Sequence, residues 1–181
     1  MLNVTDTGSG TPILWIHGFP LASSIFERQL AIGGARHLMP DLPGFGLSPL
    51  EGGRLVHPDD GGRDVRPPSM DDYARAMLDV LDQRGIDRAV IAGFSMGGYI
   101  AFALARIAPH RMRGLILIDT RETPDTEEAR KGRYDTIEKV RREGVEPVVD
   151  SMLPKMLTAN APVEMKTSTL KACVASLSSR A

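Results

Sequence analysis

A serine held between two glycines has the clearest chemical potential in this sequence. Residues 93–97 read Gly-Phe-Ser-Met-Gly, a G-x-S-x-G pattern centred on Ser95. The apolar run 89–92 before it is typical of a short buried strand, and residues 99–107 after it have a helical pattern. Gly93 and Gly97 would allow a tight strand-to-helix turn that exposes the hydroxyl beside the first helical amides. The pattern therefore predicts a nucleophile. The alternative is a serine that only caps the helix.

Two further motifs precede this turn. The continuous apolar run 12–16 predicts a parallel strand covered on both faces, and it ends in His17-Gly18-Phe19-Pro20. Residues 35–39 predict another short strand, and residues 40–48 after it read Pro-Asp-Leu-Pro-Gly-Phe-Gly-Leu-Ser. In type, order and spacing the three motifs resemble those of the α/β-hydrolase fold superfamily. The resemblance is to its esterase, lactonase and haloperoxidase-like members.

The resemblance implies roles for particular residues. Ser95 would attack a carboxylic ester, a lactone or a related acyl substrate. The backbone N–H groups of Phe19 and Met96 would form the oxyanion hole. His17 and Gly18 would shape the loop, and His17 would not be the catalytic base. The resemblance implies no metal ion and no organic cofactor, and a small-molecule acyl compound as the substrate.

The remaining patterns predict an α/β fold. Ser69 and Asp72 form a capping box for a helix that closes near Gly85, and residues 114–118 predict a strand that ends at Asp119. We expect a mostly parallel sheet of about four strands with flanking helices. Its order would be 35–39, 12–16, 89–92 and 114–118, as in the family. Residues 1–120 would form the N-terminal part of the hydrolase core.

Residues 121–181 would form a helical cap or lid segment. The charges of residues 123–144 alternate in sign, which is typical of a solvated helix. Residues 146–157 and 162–177 also have helical patterns, with several methionines. Such methionines suit either a lid over an apolar substrate or ordinary helix packing, and the sequence leaves both open.

The family pattern continues beyond the cap with strands that carry the catalytic acid and histidine, so the fold predicted here is incomplete. His110 is the only histidine after Ser95, and it follows the far end of the predicted helix 99–107. Asp119 is the candidate acid, although the family's histidine strand, whose histidine it would orient, is absent. His57, on the long loop 50–68, is the candidate base, although it precedes Ser95 and the family's histidine follows the serine. We therefore expect a truncated product with weak or no hydrolase activity. The alternatives are a non-catalytic binding module or an inert fragment of a hydrolase.

Composition narrows the class of protein. The chain has 181 residues, a formal net charge of −1 and one cysteine, Cys173. This balance argues against a nucleic-acid partner, and no apolar run approaches the ~18 residues of a membrane span. With no leader-like N-terminus, we expect a cytoplasmic protein. A dinucleotide-binding domain is excluded because residues 93–98 lack the G-x-G-x-x-G spacing. An uncovered apolar strand at 115–118 would favour self-association through the sheet edge.

Overall fold

The computed structural model describes residues 1–48, 68–144, 146–157, 160–162 and 164. The strands are β1 (Val4–Gly8), β2 (Thr11–Ile16), β3 (Ala35–Pro40), β4 (Ala89–Phe94) and β5 (Met112–Ile118). The α-helices are α1 (Met70–Asp82), α2 (Met96–Ile107), α3 (Glu127–Glu143) and α4 (Glu146–Met156). Among the described residues, 3-10 helices span Ser23–Ala31 and Pro109–Arg111. The predicted helix 162–177 and the loop 50–68 fall almost wholly outside the described residues.

One sheet organises these elements, with strand order β1-β3-β2-β4-β5. β2, β3, β4 and β5 run parallel to one another, and β1 pairs with β3 in the antiparallel sense. The predicted fold class, a mostly parallel sheet with flanking helices, is confirmed, and so is the order of its four parallel strands. Because the strands are parallel, the loops that follow β2, β3, β4 and β5 all meet at one edge of the sheet.

Side chains alternate between two packed faces of the sheet, as the pleat requires. On one face Leu14, Leu38 and Ile91 pack against α1 and α2 in the main core. On the other face Trp15, Met39 and Ala92 pack against Phe26 of the 3-10 helix Ser23–Ala31. The central strands therefore lie between two helical layers, which explains why β2 reads as an unbroken apolar run.

The structure differs from the sequence-based expectation at two places near the N-terminus. β1 adds a fifth strand to the expected four, at the edge of the sheet, where the polar residues 1–10 indicate at most the remnant of an edge strand. The Arg36 guanidinium on β3 binds both carboxylate oxygens of Asp6 on β1. Ser23 and Ser24 are of a residue type that favours helix N-caps, but the 3-10 helix begins after Ala22 without a side-chain capping bond. The backbone N–H of Ser23 instead donates to the Asp41 carboxylate, 2.9 Å away.

Other local predictions are confirmed. The capping box at the start of α1 is present, with the Ser69 side chain accepting from the Asp72 N–H and the Asp72 carboxylate accepting from the Ser69 N–H. α3 has no buried residue, as its alternating charges predict. α4 is different, because Val148 and Val149 are buried. None of the helices in the described part of the chain is long and apolar enough to cross a membrane.

β5 leaves apolar side chains in solvent. Leu115, Ile116 and Leu117 are 41–45% exposed, and within the described part of the chain β5 pairs only with β4. We propose that two copies associate through this edge. Size-exclusion chromatography of the chain is expected to show a dimer or larger species, and Ile116→Lys should give a monomer. Leu47→Lys, at an exposed leucine away from the edge, should elute as the parent does. A parent that stays monomeric at high concentration would refute the proposal.

Candidate active site

Ser95 is the single residue between β4 and α2. Its backbone has φ 51° and ψ −114°, a region that residues with a side chain rarely adopt. Ser95 occupies the N-cap position of α2, but its side chain makes no capping hydrogen bond. The alternative role as a helix cap is therefore not supported, and the side chain is half-buried at the edge where the strand loops meet.

Glycines permit this turn because neighbouring backbone lies against them. A Cβ added to Gly97 would lie 2.0 Å from the carbonyl oxygen of Ile16, and one added to Gly93 would lie 2.4 Å from that of Gly97. Neither separation is possible for a real Cβ. The backbones of β4, α2 and the end of β2 therefore approach one another more closely than any other residue type would allow.

The loop after β2 lies directly beside Ser95. A Cβ on Gly18 would meet the Cβ of Ser95 at 2.9 Å and the carbonyl oxygen of Phe94 at 3.0 Å. Phe19 follows Gly18, and its ring is edge-on to Phe45 at a centroid distance of 6.2 Å. The structure thus brings together residues 17–19, the H-G-F loop, and the strand-to-helix turn at Ser95, the elbow, as the sequence predicts. The assignment of the Phe19 and Met96 amides as oxyanion donors stays a prediction.

His17 holds this loop to its neighbour. The backbone N–H of Leu42 donates to Nε2 of His17 at 2.9 Å, so Nε2 must be unprotonated, and Nδ1 lies 3.1 Å from the Gly18 carbonyl and donates to it. The ring is fully buried. Burial lowers the pKa of His17 to about 4, against smaller opposing effects of the Gly18 carbonyl and the Asp41 carboxylate. The ring is therefore neutral at pH 7 and acts as a fixed connector.

Asp41 fastens the loop that follows β3. Its buried carboxylate accepts hydrogen bonds from the N–H groups of Ser23 and Leu47, each at 2.9 Å, and from Nδ2 of Asn3 at 2.8 Å. Burial raises the pKa of Asp41, but the bonds from Leu47, Ser23 and Asn3 together outweigh it and hold the pKa below its ordinary value. The charged carboxylate thereby ties three chain segments beside the site.

None of the three histidines in the described part of the chain is bonded to Ser95. Both ring nitrogens of His17 bind backbone groups, and His37 accepts from the Trp15 indole at 3.2 Å and lies 3.1 Å from the Ile32 carbonyl. His110 is exposed beyond the far end of α2, a helix ~18 Å long by its residue count. His57, the candidate base, lies outside the described residues.

Asp119 follows β5 at the same edge of the sheet. It is exposed and has φ 45°, so the chain turns sharply there. Asp119 therefore lies at the edge of the sheet where the catalytic acid was predicted, whereas its catalytic role stays a prediction.

Two functional contacts were not predicted from the sequence. The hydroxyl of Thr120, the neighbour of Asp119, donates to the Ser95 carbonyl at 2.9 Å. Asp41 binds the backbone amides of Ser23 and Leu47. The P-D-x-x-G-x-G-x-S motif contains Asp41, but no local pattern marks Thr120.

Comparison of this chain with models of known protein families identifies its family. The family model described as "alpha/beta hydrolase fold" matches residues 11–168. This match covers β2 to β5, Ser95 and its turn, and most of the segment after β5. The chain belongs to the α/β-hydrolase fold family.

Individual relatives within that family are hydrolases. The chain is 35% identical over 114 residues to RutD of Azorhizobium caulinodans, which is named a carbamate hydrolase; the match covers 62% of this chain and 38% of RutD. It is 32% identical over 122 residues to haloalkane dehalogenase 2 of Mycobacterium tuberculosis, covering 66% of this chain and 38% of that protein. A solved structure of a thermophilic esterase from Thermogutta terrifontis matches with a TM-score of 0.81 and 34% identity, over 97% of this chain and 62% of the esterase chain. The matched part therefore spans well under half of the two curated relatives and slightly less than two thirds of the esterase chain.

Proposed function

We propose that this chain carries the nucleophile and the oxyanion hole of a serine hydrolase that cleaves a carboxylic ester, a lactone or a related acyl substrate. One observation carries the proposal. Ser95 has a positive φ at the strand-to-helix turn, and its side chain is not used for capping. Gly18 of the neighbouring loop packs against the Cβ of Ser95. Strained backbone at such a place is typical of a catalytic residue.

In this proposal the Ser95 hydroxyl oxygen attacks the carbonyl carbon of the substrate. The carbonyl oxygen becomes an oxyanion and accepts hydrogen bonds from the N–H groups of Phe19 and Met96. The alcohol then leaves, and water releases the acyl group from Ser95. Each donor of this kind contributes about 3–4 kcal/mol to stabilisation of the transition state, since it is fixed before charge develops.

The step also needs a base that accepts the hydroxyl proton. Within the described residues the rings of His17 and His37 are bound elsewhere and His110 is remote. Loss of the histidine from a working triad lowers turnover by on the order of 10⁶-fold. We therefore propose that this chain on its own turns over slowly, in agreement with the sequence-based expectation of weak activity.

An apolar substrate is favoured by the packing around the site. Leu21 and Val149 are buried together, and Phe19 of the loop after β2 and Phe94, which precedes Ser95, pack against them. Val149 lies on α4, so the segment after β5 reaches over the loops of the catalytic edge. This contact supports residues 121–181 as a cap over the core formed by residues 1–120. A small acyl group with an apolar chain fits such surroundings.

Covalent labelling with a fluorophosphonate tests the proposal. The unmodified chain is expected to react slowly at Ser95, and added imidazole should accelerate the reaction about tenfold or more because it can accept the hydroxyl proton, which no histidine of the described residues is placed to accept. Ser95→Ala should remove the label, whereas Ser24→Ala, at an exposed serine, should label as the parent does. Peptide mapping by mass spectrometry identifies the labelled residue. Reaction at a different residue, or no reaction with imidazole present, contradicts the proposal.

A second candidate is a non-catalytic binding module that holds an acid or an acyl group beside Ser95 without turning it over. It is favoured by one observation, namely that no histidine in the described ranges is bonded to Ser95. In that case a folded chain would bind a short carboxylic acid without reacting with the fluorophosphonate. Isothermal titration with butyrate, beside the labelling experiment, separates the two candidates.

A further inference from the structure

The peptide group between Ser95 and Met96 is held from outside its own helix. The carbonyl oxygen of Ser95 accepts two hydrogen bonds, one from the Gly98 N–H at 2.9 Å and one from the Thr120 hydroxyl at 2.9 Å. The Gly98 bond joins residues three positions apart and forms a tight, 3-10-type turn at the start of α2. The Thr120 bond comes from the loop after β5, outside the helix.

Thr120 is itself fixed at that position. It follows Asp119, where the backbone turns with φ 45°, and its side chain is half-buried. A Cβ on Gly98 would lie 2.4 Å from the Thr120 hydroxyl oxygen and 2.5 Å from its methyl carbon, so the two residues are in close contact. The Ser95 N–H also donates to the Ile118 carbonyl at 2.9 Å. The end of β5 therefore holds Ser95 by both its amide and its carbonyl.

The direction of the Met96 N–H follows from this arrangement. A trans peptide group is planar, so the Ser95 carbonyl and the Met96 N–H point in opposite directions along one rigid unit. A hydrogen bond that fixes the carbonyl fixes the direction of the N–H. It also polarises the peptide group, which makes the N–H a stronger donor.

We propose that Thr120 is a positioning residue that aims the Met96 N–H into the oxyanion hole. The inference rests on the proposed function, because the Met96 N–H matters for catalysis only if an oxyanion forms there. Thr120 does not touch the substrate and acts through the Ser95–Met96 peptide group alone. Without its hydroxyl, the single bond from Gly98 would leave this peptide group free to tilt.

Thr120→Val tests the inference because valine keeps the branched shape of threonine and replaces its hydroxyl with a methyl group that cannot donate a hydrogen bond. In a ¹⁵N–¹H correlation spectrum of the chain we expect the Met96 amide signal to shift in Thr120→Val and to return in Thr120→Ser. With imidazole present, Thr120→Val should slow the labelling of Ser95 by about tenfold, and Thr120→Ser should label within about twofold of the parent. Both variants should melt close to the parent, since Gly98 still satisfies the carbonyl.

Thr136→Val is the matched control. The Thr136 hydroxyl also donates to a backbone carbonyl, that of Gly132 at 2.8 Å, but on the exposed helix α3. Its removal should change neither the Met96 signal nor the labelling rate. An unmoved Met96 signal in Thr120→Val, or a loss of labelling that Thr120→Ser does not restore, overturns the inference. If the parent chain is never labelled but the Met96 signal moves, the hydrolase proposal fails and the positioning by Thr120 stands.

Discussion

Replacing Gly97 with alanine is expected to lower Tm by roughly 10 °C and to abolish labelling of Ser95. The new Cβ would lie 2.0 Å from the Ile16 carbonyl oxygen and 2.8 Å from that of His17, and both atoms belong to backbone that cannot rotate away. Either the end of β2 or the start of α2 must move. Overpacking of this kind lowers the free energy of unfolding by about 3 kcal/mol. In a domain of this size each kcal/mol lowers Tm by several degrees, which gives the expected decrease.

The loss of labelling has a separate cause. The end of β2 leads directly into Gly18 and Phe19, so its displacement would move one proposed oxyanion donor away from Ser95. Gly132→Ala is the control, because nothing lies within 4 Å of a Cβ at that position in the middle of α3. Alanine there should stabilise the helix by about 0.5–1 kcal/mol and leave labelling unchanged. If Gly97→Ala melts and labels like the parent, the close approach of β2 and α2 is wrong.

Mild acid is expected to destabilise the chain through His17. The pKa of the buried ring is lowered from 6.5 to about 4, so the unfolded chain binds a proton at a higher pH than the folded chain does. Stability is therefore complete above pH 6.5 and is lost as the pH falls toward 4. From these pKa values the loss between pH 7 and pH 5 is about 2 kcal/mol. Protonation would place a hydrogen on Nε2 against the Leu42 N–H, so the connector between the two loops would break.

Urea unfolding at pH 7 and at pH 5 measures this loss. The glutamine in His17→Gln offers a carbonyl oxygen to the Leu42 N–H and does not titrate. The decrease in the free energy of unfolding from pH 7 to pH 5 should therefore be about 2 kcal/mol smaller in this variant than in the parent. His110→Gln, at an exposed histidine, should show the same pH dependence as the parent. Parallel curves for the parent and His17→Gln would show that the ring is not held neutral in the folded chain.

Features set by neighbouring residues along the chain could be predicted from the sequence. The capping box of Ser69 and Asp72 depends on residues three positions apart, and the elbow depends on one strand, one turn and one helix in succession. The order of the four parallel strands followed from the family resemblance. These predictions are confirmed because each rests on local geometry or on the shared fold.

Features that depend on contacts between distant segments could not be predicted. Ser23 has a residue type typical of helix caps, yet its amide binds Asp41 from the next loop. Residues 1–10 indicate at most the remnant of an edge strand, because β1 is stabilised by its pairing with β3 and most of its residues are exposed. Thr120 lies 25 residues from Ser95 in sequence, and only the parallel pairing of β4 with β5 brings them together. A single sequence contains no pattern for such a contact.

The most direct test is a crystal structure of the chain with a phosphonate bound to Ser95. The tetrahedral phosphonate stands in for the transition state of acyl transfer, and its phosphoryl oxygen takes the place of the oxyanion. We predict this oxygen at about 2.7–3.1 Å from the backbone nitrogens of both Phe19 and Met96. A phosphoryl oxygen that points to solvent, away from both amides, would contradict the proposed oxyanion hole and the function built on it.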